Sequence, residues 1–264
     1  MIYENVEFHN VAELREIAGA SGKRLQRVPE DVRLCLNERA QERMLSPAGS
    51  EIRFVSEGET VKVTVSCPEG SAEVFPFFGP FQASPRVTVG REPKTIEMAY
   101  PARLKSLDAA VTDSLVFSPR VWRFMLKGNM LHFHGIEGDG LRPPSAEEVP
   151  KLRYLSYGTS ITHGSSATAM HLTYVGQVAW RIGADLINLG VGGSAYCEPE
   201  LADYIAARED WDVATLALSV NMVGAGFSVE EFSERVTYMV HTVAGANTER
   251  PVFCITIYPH FREM

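Results

Sequence analysis

The four cysteines, Cys35, Cys67, Cys197 and Cys254, are too far apart for any CxxC or zinc-ribbon pattern, which excludes the usual sequence forms of a thiol-ligated metal site. Scattered thiols of this kind serve as small buried apolar residues in a reducing compartment. Basic charge is also scarce: 25 Lys and Arg stand against 33 Asp and Glu, for a net charge of −8. The bases are spread rather than grouped, so neither nucleic acid nor an anionic membrane is offered the basic face it needs. No window approaches the ~18 apolar residues of a membrane helix. The start, Met1-Ile-Tyr-Glu-Asn-Val-Glu-Phe-His9, has neither the basic region nor the apolar core of a signal sequence. As given, the chain reads as cytoplasmic. Neither an internal repeat nor a low-complexity tract is present. An apolar fraction of 45% over 264 residues allows one large or two ordinary domains without a metal or disulfide staple.

Residues 1–50 are mixed. Val11-Ala-Glu-Leu-Arg-Glu-Ile17 is read as a short helical turn and Gly22 to Pro29 as an extended segment. A helix begins at Pro29 and runs to about Glu42, with Glu30 and Asp31 beside its positive end. From Glu51 to about Leu141 the rhythm has period two. Glu51-Ile-Arg-Phe-Val, Thr60-Val-Lys-Val-Thr-Val and Arg86-Val-Thr-Val alternate as half-buried strands do, and further apolar runs start at Ala72, Lys94 and Val121. Turn signals separate these runs, a pattern of antiparallel sandwiches and jelly rolls. Gly135 to Ser145, rich in glycine and proline, reads as the exit from this domain. Strands at 152–157, 185–189, 213–219 and 251–258 then alternate with helices at about 170–182, 198–207 and 229–245. That alternation implies parallel crossovers and a three-layer α/β sheet.

Three loops follow the first three of these strands and emerge on one edge of the sheet. They carry Gly158-Thr-Ser160, Asn188-Leu-Gly-Val-Gly-Gly193-Ser194 and Ser219-Val-Asn221. Singly each has an ordinary role: Ser160 as a helix cap, the glycines as a tight turn, Asn221 as a turn former. Together they supply what acyl transfer requires, a hydroxyl nucleophile and neutral donors aimed at a developing oxyanion. His132 and His134 fall two apart, as paired metal ligands sometimes do, but no third ligand is evident and a strand face is the preferred reading; neither metal nor other cofactor is expected. Phe75-Pro-Phe-Phe-Gly-Pro-Phe81 reads as sandwich core, with a sugar-stacking platform as the alternative. Trp122 and Trp180 read as core, and Asp203, Asp210 and Asp212 as solvated.

On these blocks the chain resembles the SGNH (GDSL-like) hydrolases, in particular a two-domain subgroup with an N-terminal β-domain and a Gly-[Ser/Thr]-Ser-Ile-Thr-x-Gly first block. Tyr157-Gly-Thr-Ser-Ile-Thr-His-Gly164 matches that block with Ser160 in the nucleophile's place. Gly193 falls at the oxyanion glycine of the second block and Asn221 at the oxyanion asparagine of the third. The resemblance implies an α/β three-layer flavodoxin-like parallel sheet over 146–264, preceded by an antiparallel β-sandwich or jelly-roll domain over 1–145. It also implies a serine esterase or acylhydrolase acting through an acyl-serine intermediate, with an oxyanion hole of Ser160, Gly193 and Asn221. The substrate would be a small-molecule or carbohydrate ester, with acetyl on a carbohydrate as the suggested group. The alternative is a catalytically inactive carbohydrate-binding protein on the same fold. A flavodoxin-like cofactor binder is weaker, since Gly190-Val-Gly-Gly193 is not GxGxxG. A homo-oligomer is compatible with the sequence but nothing in it specifies one.

Two departures stand out. Thr159 occupies the position of the aspartate in the namesake motif. The family's fourth block, an Asp-x-x-His after a fifth strand, does not occur anywhere in 152–264. The resemblance places the general base in that block, so the sequence is expected to be a fragment or to lack a further segment. Of the histidines present, His163 and His260 are the candidates for base, each with a pocket-lining role as the competing reading. The His163 ring is expected to point to solvent or substrate.

Overall fold

The computed structural model describes residues 1–83, 85–218 and 220–257. Four strands open the chain: β1 (Ile2–Tyr3), β2 (Val6–His9), β3 (Glu13–Glu16) and β4 (Lys23–Gln26). Helices α1 (Glu30–Cys35) and α2 (Glu38–Arg43) follow. Next come β5 (Glu51–Phe54), β6 (Thr60–Ser66), β7 (Ala72–Phe78), β8 (Phe81–Gln82), β9 (Val87–Val89) and β10 (Lys94–Ala99). Two short helices, α3 (Ala102–Lys105) and α4 (Ala109–Asp113), precede β11 (Trp122–Gly128) and β12 (His132–Glu137). The remainder runs β13 (Leu152–Gly158), α5 (Ser160–His163), a 3-10 turn at Met170–Leu172, α6 (Tyr174–Ile182), β14 (Ala184–Gly190), α7 (Pro199–Ala207), β15 (Val213–Ala217), α8 (Val220–Ala225), α9 (Val229–Ala246) and β16 (Val252–Ile255).

Two antiparallel sheets make the sandwich, one in the order β1-β2-β5-β11-β7-β8 with β9 also on β7, the other β10-β6-β12-β4-β3. Alternation fills the space between them. Ile52 and Phe54 of β5, Val61, Val63 and Val65 of β6, and Trp122, Phe124 and Leu126 of β11 share one core. The opposite face of the first sheet is not left to water. All four residues of β5 are buried, because Glu51, Arg53 and Arg123 turn toward the α/β part.

The α/β sheet is parallel, in the order β14-β13-β15-β16. Tyr154 packs with Val175 and Ala179 of α6 on one face, while Leu155 and Tyr157 pack with α7 and α9 on the other, giving the three expected layers. Val28, Leu36, Ala40 and Met44, from and around α1 and α2, join this second face. The two helices thus pack on the α/β core although they lie early in the chain. No helix among the described residues is long and apolar enough to cross a membrane.

Several local expectations need correction. Residues 13–16 form a strand, not a helical turn. Glu13 and Arg15, two apart, meet at 3.2 Å as neighbours on one strand face do and helix residues at that spacing do not. The helix expected from Pro29 to about Glu42 is broken at Asn37, whose side chain accepts from Ala40 N–H at 3.0 Å and starts a new helix. Phe78 is in the sandwich core, but Phe75 and Phe77 lie on the other face against Met170. Trp180 is 67% exposed rather than core. His132 Nδ1 sits 3.0 Å from Ser21 O and His134 Nε2 2.8 Å from the Ser66 hydroxyl, with a register irregularity between Phe133 and Gly135.

A buried charge chain links the two parts. Arg123 is held by both Glu51 oxygens, at 2.6 and 2.7 Å. Arg53 reaches Glu51 at 2.8 Å and forks onto Asp185 of β14 at 2.6 and 2.7 Å. The neighbouring arginines hold both carboxyls below their ordinary range despite burial, which acts the other way. Removing one member strands a buried charge. Asp185→Ala should therefore lower the unfolding free energy by about 3–5 kcal/mol, read as a drop in the urea midpoint.

Candidate active site

Strand β13 ends at Gly158, Thr159 takes the N-cap position in extended conformation, and Ser160 opens α5. Ser160 is half-buried, and its hydroxyl makes no hydrogen bond among the described residues. The capping role open to it in the sequence is therefore not the one it has here, and the hydroxyl is left unengaged. The turn behind it is fixed from two sides. The Thr162 carbonyl accepts from Asn188 Nδ2 at 2.9 Å, and the Thr162 hydroxyl lies 2.9 Å from that of Tyr174.

The second loop depends on glycine. A Cβ on Gly190 would stand 2.3 Å from His163 N, so only glycine lets the end of β14 lie against α5. Gly193 has φ +79°, and a Cβ there would stand 2.9 Å from the Arg39 guanidinium carbon. Asn221, near the start of α8, accepts through Oδ1 from Ala195 N–H at 3.2 Å. Since an N–H can only donate, this bond fixes the amide orientation and leaves the Asn221 NH₂ group without an acceptor among the described residues. The N–H groups of Ser160 and Gly193 likewise have none there. The strand ends are in register, Gly158 beside Gly190 and Tyr157 beside Leu216. One free hydroxyl and three free donors thus lie on adjacent loops of one sheet edge, where open α/β folds bind ligands.

Residues 152–263 match the family model of the GDSL-like lipase/acylhydrolase family. The α/β part of the chain is thus similar to the GDSL-like lipase/acylhydrolase family over those residues. Among solved structures the chain is similar to the salicylyl-acyltransferase SsfX3 from a tetracycline biosynthetic pathway, at 15% identity and TM-score 0.75, covering 94% of this chain and 69% of that one. It is also similar to a putative GDSL-like lipase from Bacteroides ovatus, at 16% identity and TM-score 0.64, over 95% and 72% of the two chains. A family two carbohydrate esterase from Cellvibrio japonicus aligns at 12% identity and TM-score 0.61, over 98% and 79%. At these identities the likeness is one of fold, and it includes the N-terminal β part as well as the hydrolase sheet. No curated protein matches the chain in sequence.

His163 does not point to solvent. It is 8% exposed, with Nδ1 3.0 Å from Gly190 O and Nε2 3.3 Å from the Ser46 hydroxyl. The carbonyl can only accept, so Nδ1 carries the proton and the ring is committed to holding the second loop. His260 lies outside the described residues. An apolar cavity of about 440 Å³ opens between the sandwich and α6, lined in part by Phe77, Met125, Met170 and Trp180; it includes none of Ser160, Gly193 and Asn221.

Sequence reasoning missed Arg27. Its fully buried guanidinium donates to the carbonyls of Ser46 (2.8 Å), Arg43 (2.7 Å), Asn188 (3.0 Å) and Gly190 (3.0 Å). Burial pulls it down to about 9, which still leaves it charged at neutral pH. No local pattern marks it, because all its acceptors are distant in sequence.

Burial, and then the Arg27 cation, push the His163 imidazole down from 6.5 to about 3. Between those values the unfolded chain takes up a proton that the folded chain refuses. Its contribution is complete above pH 6.5 and is lost as pH falls toward 3, by up to about 5 kcal/mol. Urea midpoints measured across that window should fall more steeply for the wild type than for His163→Gln; equal slopes would show that His163 does not titrate this way.

Proposed function

We propose that the protein is a serine esterase or acylhydrolase that removes a small acyl group from a small-molecule or carbohydrate ester, with acetyl on a carbohydrate as the favoured substrate. The observation that carries this reading is a Ser160 hydroxyl without a hydrogen bond among the described residues, on the same sheet edge as three donors likewise without an acceptor there, the N–H groups of Ser160 and Gly193 and the Asn221 amide. Ser160 Oγ attacks the ester carbonyl carbon, and the carbonyl electron pair moves onto its oxygen. The three donors receive that oxyanion. All are neutral, so an approaching carboxylate would not cancel them as it would a cation. Collapse expels the alcohol and leaves an acyl-serine, which water then hydrolyses.

The Ser160 proton needs a base, and histidine has the suitable pKa. With His163 committed to the Gly190 carbonyl, the resemblance assigns this role to an Asp-x-x-His block, which 152–264 does not contain. The carbohydrate part of the proposal is supported by the fold shared with the Cellvibrio japonicus carbohydrate esterase.

In the full-length protein, Ser160→Ala should abolish release of p-nitrophenol from p-nitrophenyl acetate. A properly folded Ser160→Ala protein that keeps its activity would sink the assignment. Asn221→Ala removes one oxyanion donor and should lower kcat by about 10²–10³, with KM changing far less, since the interaction strengthens only as the oxyanion forms.

A further inference from the structure

Helix α2 lies against the second loop of the site and brings two arginines to it. Arg39 and Arg43 are four residues apart, hence on one face of the helix. Arg43 Nε donates to Gly192 O at 3.2 Å. The guanidinium carbon of Arg39 rests on Gly193, 2.9 Å from where a Cβ would stand. A side chain at 193 would displace it, so the glycine that turns the loop also admits the cation.

Arg39 is exposed and forms no ion pair or hydrogen bond among the described residues. Arg91, Arg103 and Arg181 are exposed and unpaired among the described residues in the same way, so what sets Arg39 apart is its place. Arg24, Arg33, Arg53, Arg123, Arg142 and Arg208 each hold a carboxylate, as expected where acids outnumber bases. An exposed surface arginine is ordinary by itself. This one lies directly on the glycine whose N–H is assigned to the oxyanion, and Arg43 beside it adds a second positive charge without a carboxylate partner.

We propose that Arg39 selects ester substrates that carry an anionic oxyacid group, a carboxylate or a phosphate, next to the scissile bond. The inference rests on the Ser160, Gly193 and Asn221 reading of the site. The guanidinium is a planar fork of donors that matches either anion with two parallel hydrogen bonds. An anion held there would lie against the Gly193 loop. The oxyanion hole itself is lined by neutral donors, so the two charges of such a substrate, one permanent and one developing, fall on different groups.

The experiment compares three esters in the full-length protein: p-nitrophenyl acetate, mono-p-nitrophenyl succinate with its carboxylate on the acyl side, and 4-acetoxybenzoate with its carboxylate on the alcohol side. In Arg39→Gln, the ratio of kcat/KM for at least one anionic ester to that for p-nitrophenyl acetate should fall about tenfold or more. Arg39→Lys should restore part of it, and added salt should narrow the wild-type preference. Ratios unchanged for both anionic esters would overturn the proposal. Binding supplies a readout that needs no turnover: calorimetric titration of Ser160→Ala with the same two anionic esters should give a Kd about tenfold tighter than Ser160→Ala/Arg39→Gln for at least one of them. Absence of esterase activity with that Kd difference present removes the proposed function and leaves the anion site standing. Equal Kd values remove the anion site.

Discussion

The open edge of β14 is the constraint on which the arrangement turns. This strand is the outer member of the hydrolase sheet, so the carbonyls on its outward side have no strand to accept from. Leu186, Asn188 and Gly190 are spaced by two, which puts their carbonyls on the same side of the strand. Each accepts from a side chain of the first thirty residues: His9 Nε2 at 2.6 Å on Leu186, Asn10 Nδ2 at 3.0 Å on Asn188, and Arg27 at 3.0 Å on both Asn188 and Gly190. An uncovered edge would invite another chain to pair with it, and a buried carbonyl without a partner costs about 1–3 kcal/mol. Here the N-terminal part meets both problems with side-chain donors instead of a further strand.

The same contacts fix the site. Because β14 leads directly into the loop carrying Gly193, whatever holds its last carbonyls also holds the loop proposed to receive the oxyanion. Arg27 and His163 grip Gly190 O together, one from the N-terminal segment and one from the turn bearing Ser160. A buried guanidinium with no carboxylate is costly to desolvate, and four carbonyl acceptors offset that cost only in this geometry. At the other end of the strand the Arg53 fork on Asp185 ties the sandwich to the sheet. The β-domain is therefore structural to the hydrolase part at both ends of one strand.

The pattern of what was legible in the sequence follows from range. Ser160, Gly193 and Asn221 could be picked out because each sits just past a strand whose apolar run is visible, and the α/β order places those strand ends together. The sandwich was legible for its inner face, where Val61, Val63 and Val65 alternate with polar residues. Its outer face was not. Glu51, Arg53 and Arg123 have the period of a solvated face, and only the arrival of Asp185, 132 residues beyond Arg53, shows them to be buried. Arg15 and Glu13 were misread for a related reason: a short charged segment has no decisive period, and its pairing with β4 decides the outcome. His163 looked solvent-facing because its burial depends on Gly190 and Ser46, neither of which is near it in sequence.

The reacting groups lie on loops whose positions the sheet dictates, so they can vary little without losing the register of Gly158 with Gly190. Helix α2 is under no such restriction. It is anchored through Ala40, Met44 and the Asn37 cap, while the Arg39 guanidinium lies against Gly193. A side chain there can change without disturbing a strand end, a buried carbonyl or the charge chain. On the proposed reading, selectivity falls to an element that packs on the α/β core yet belongs, in sequence, to the segment ahead of the sandwich, and chemistry falls to the loops that the sheet positions.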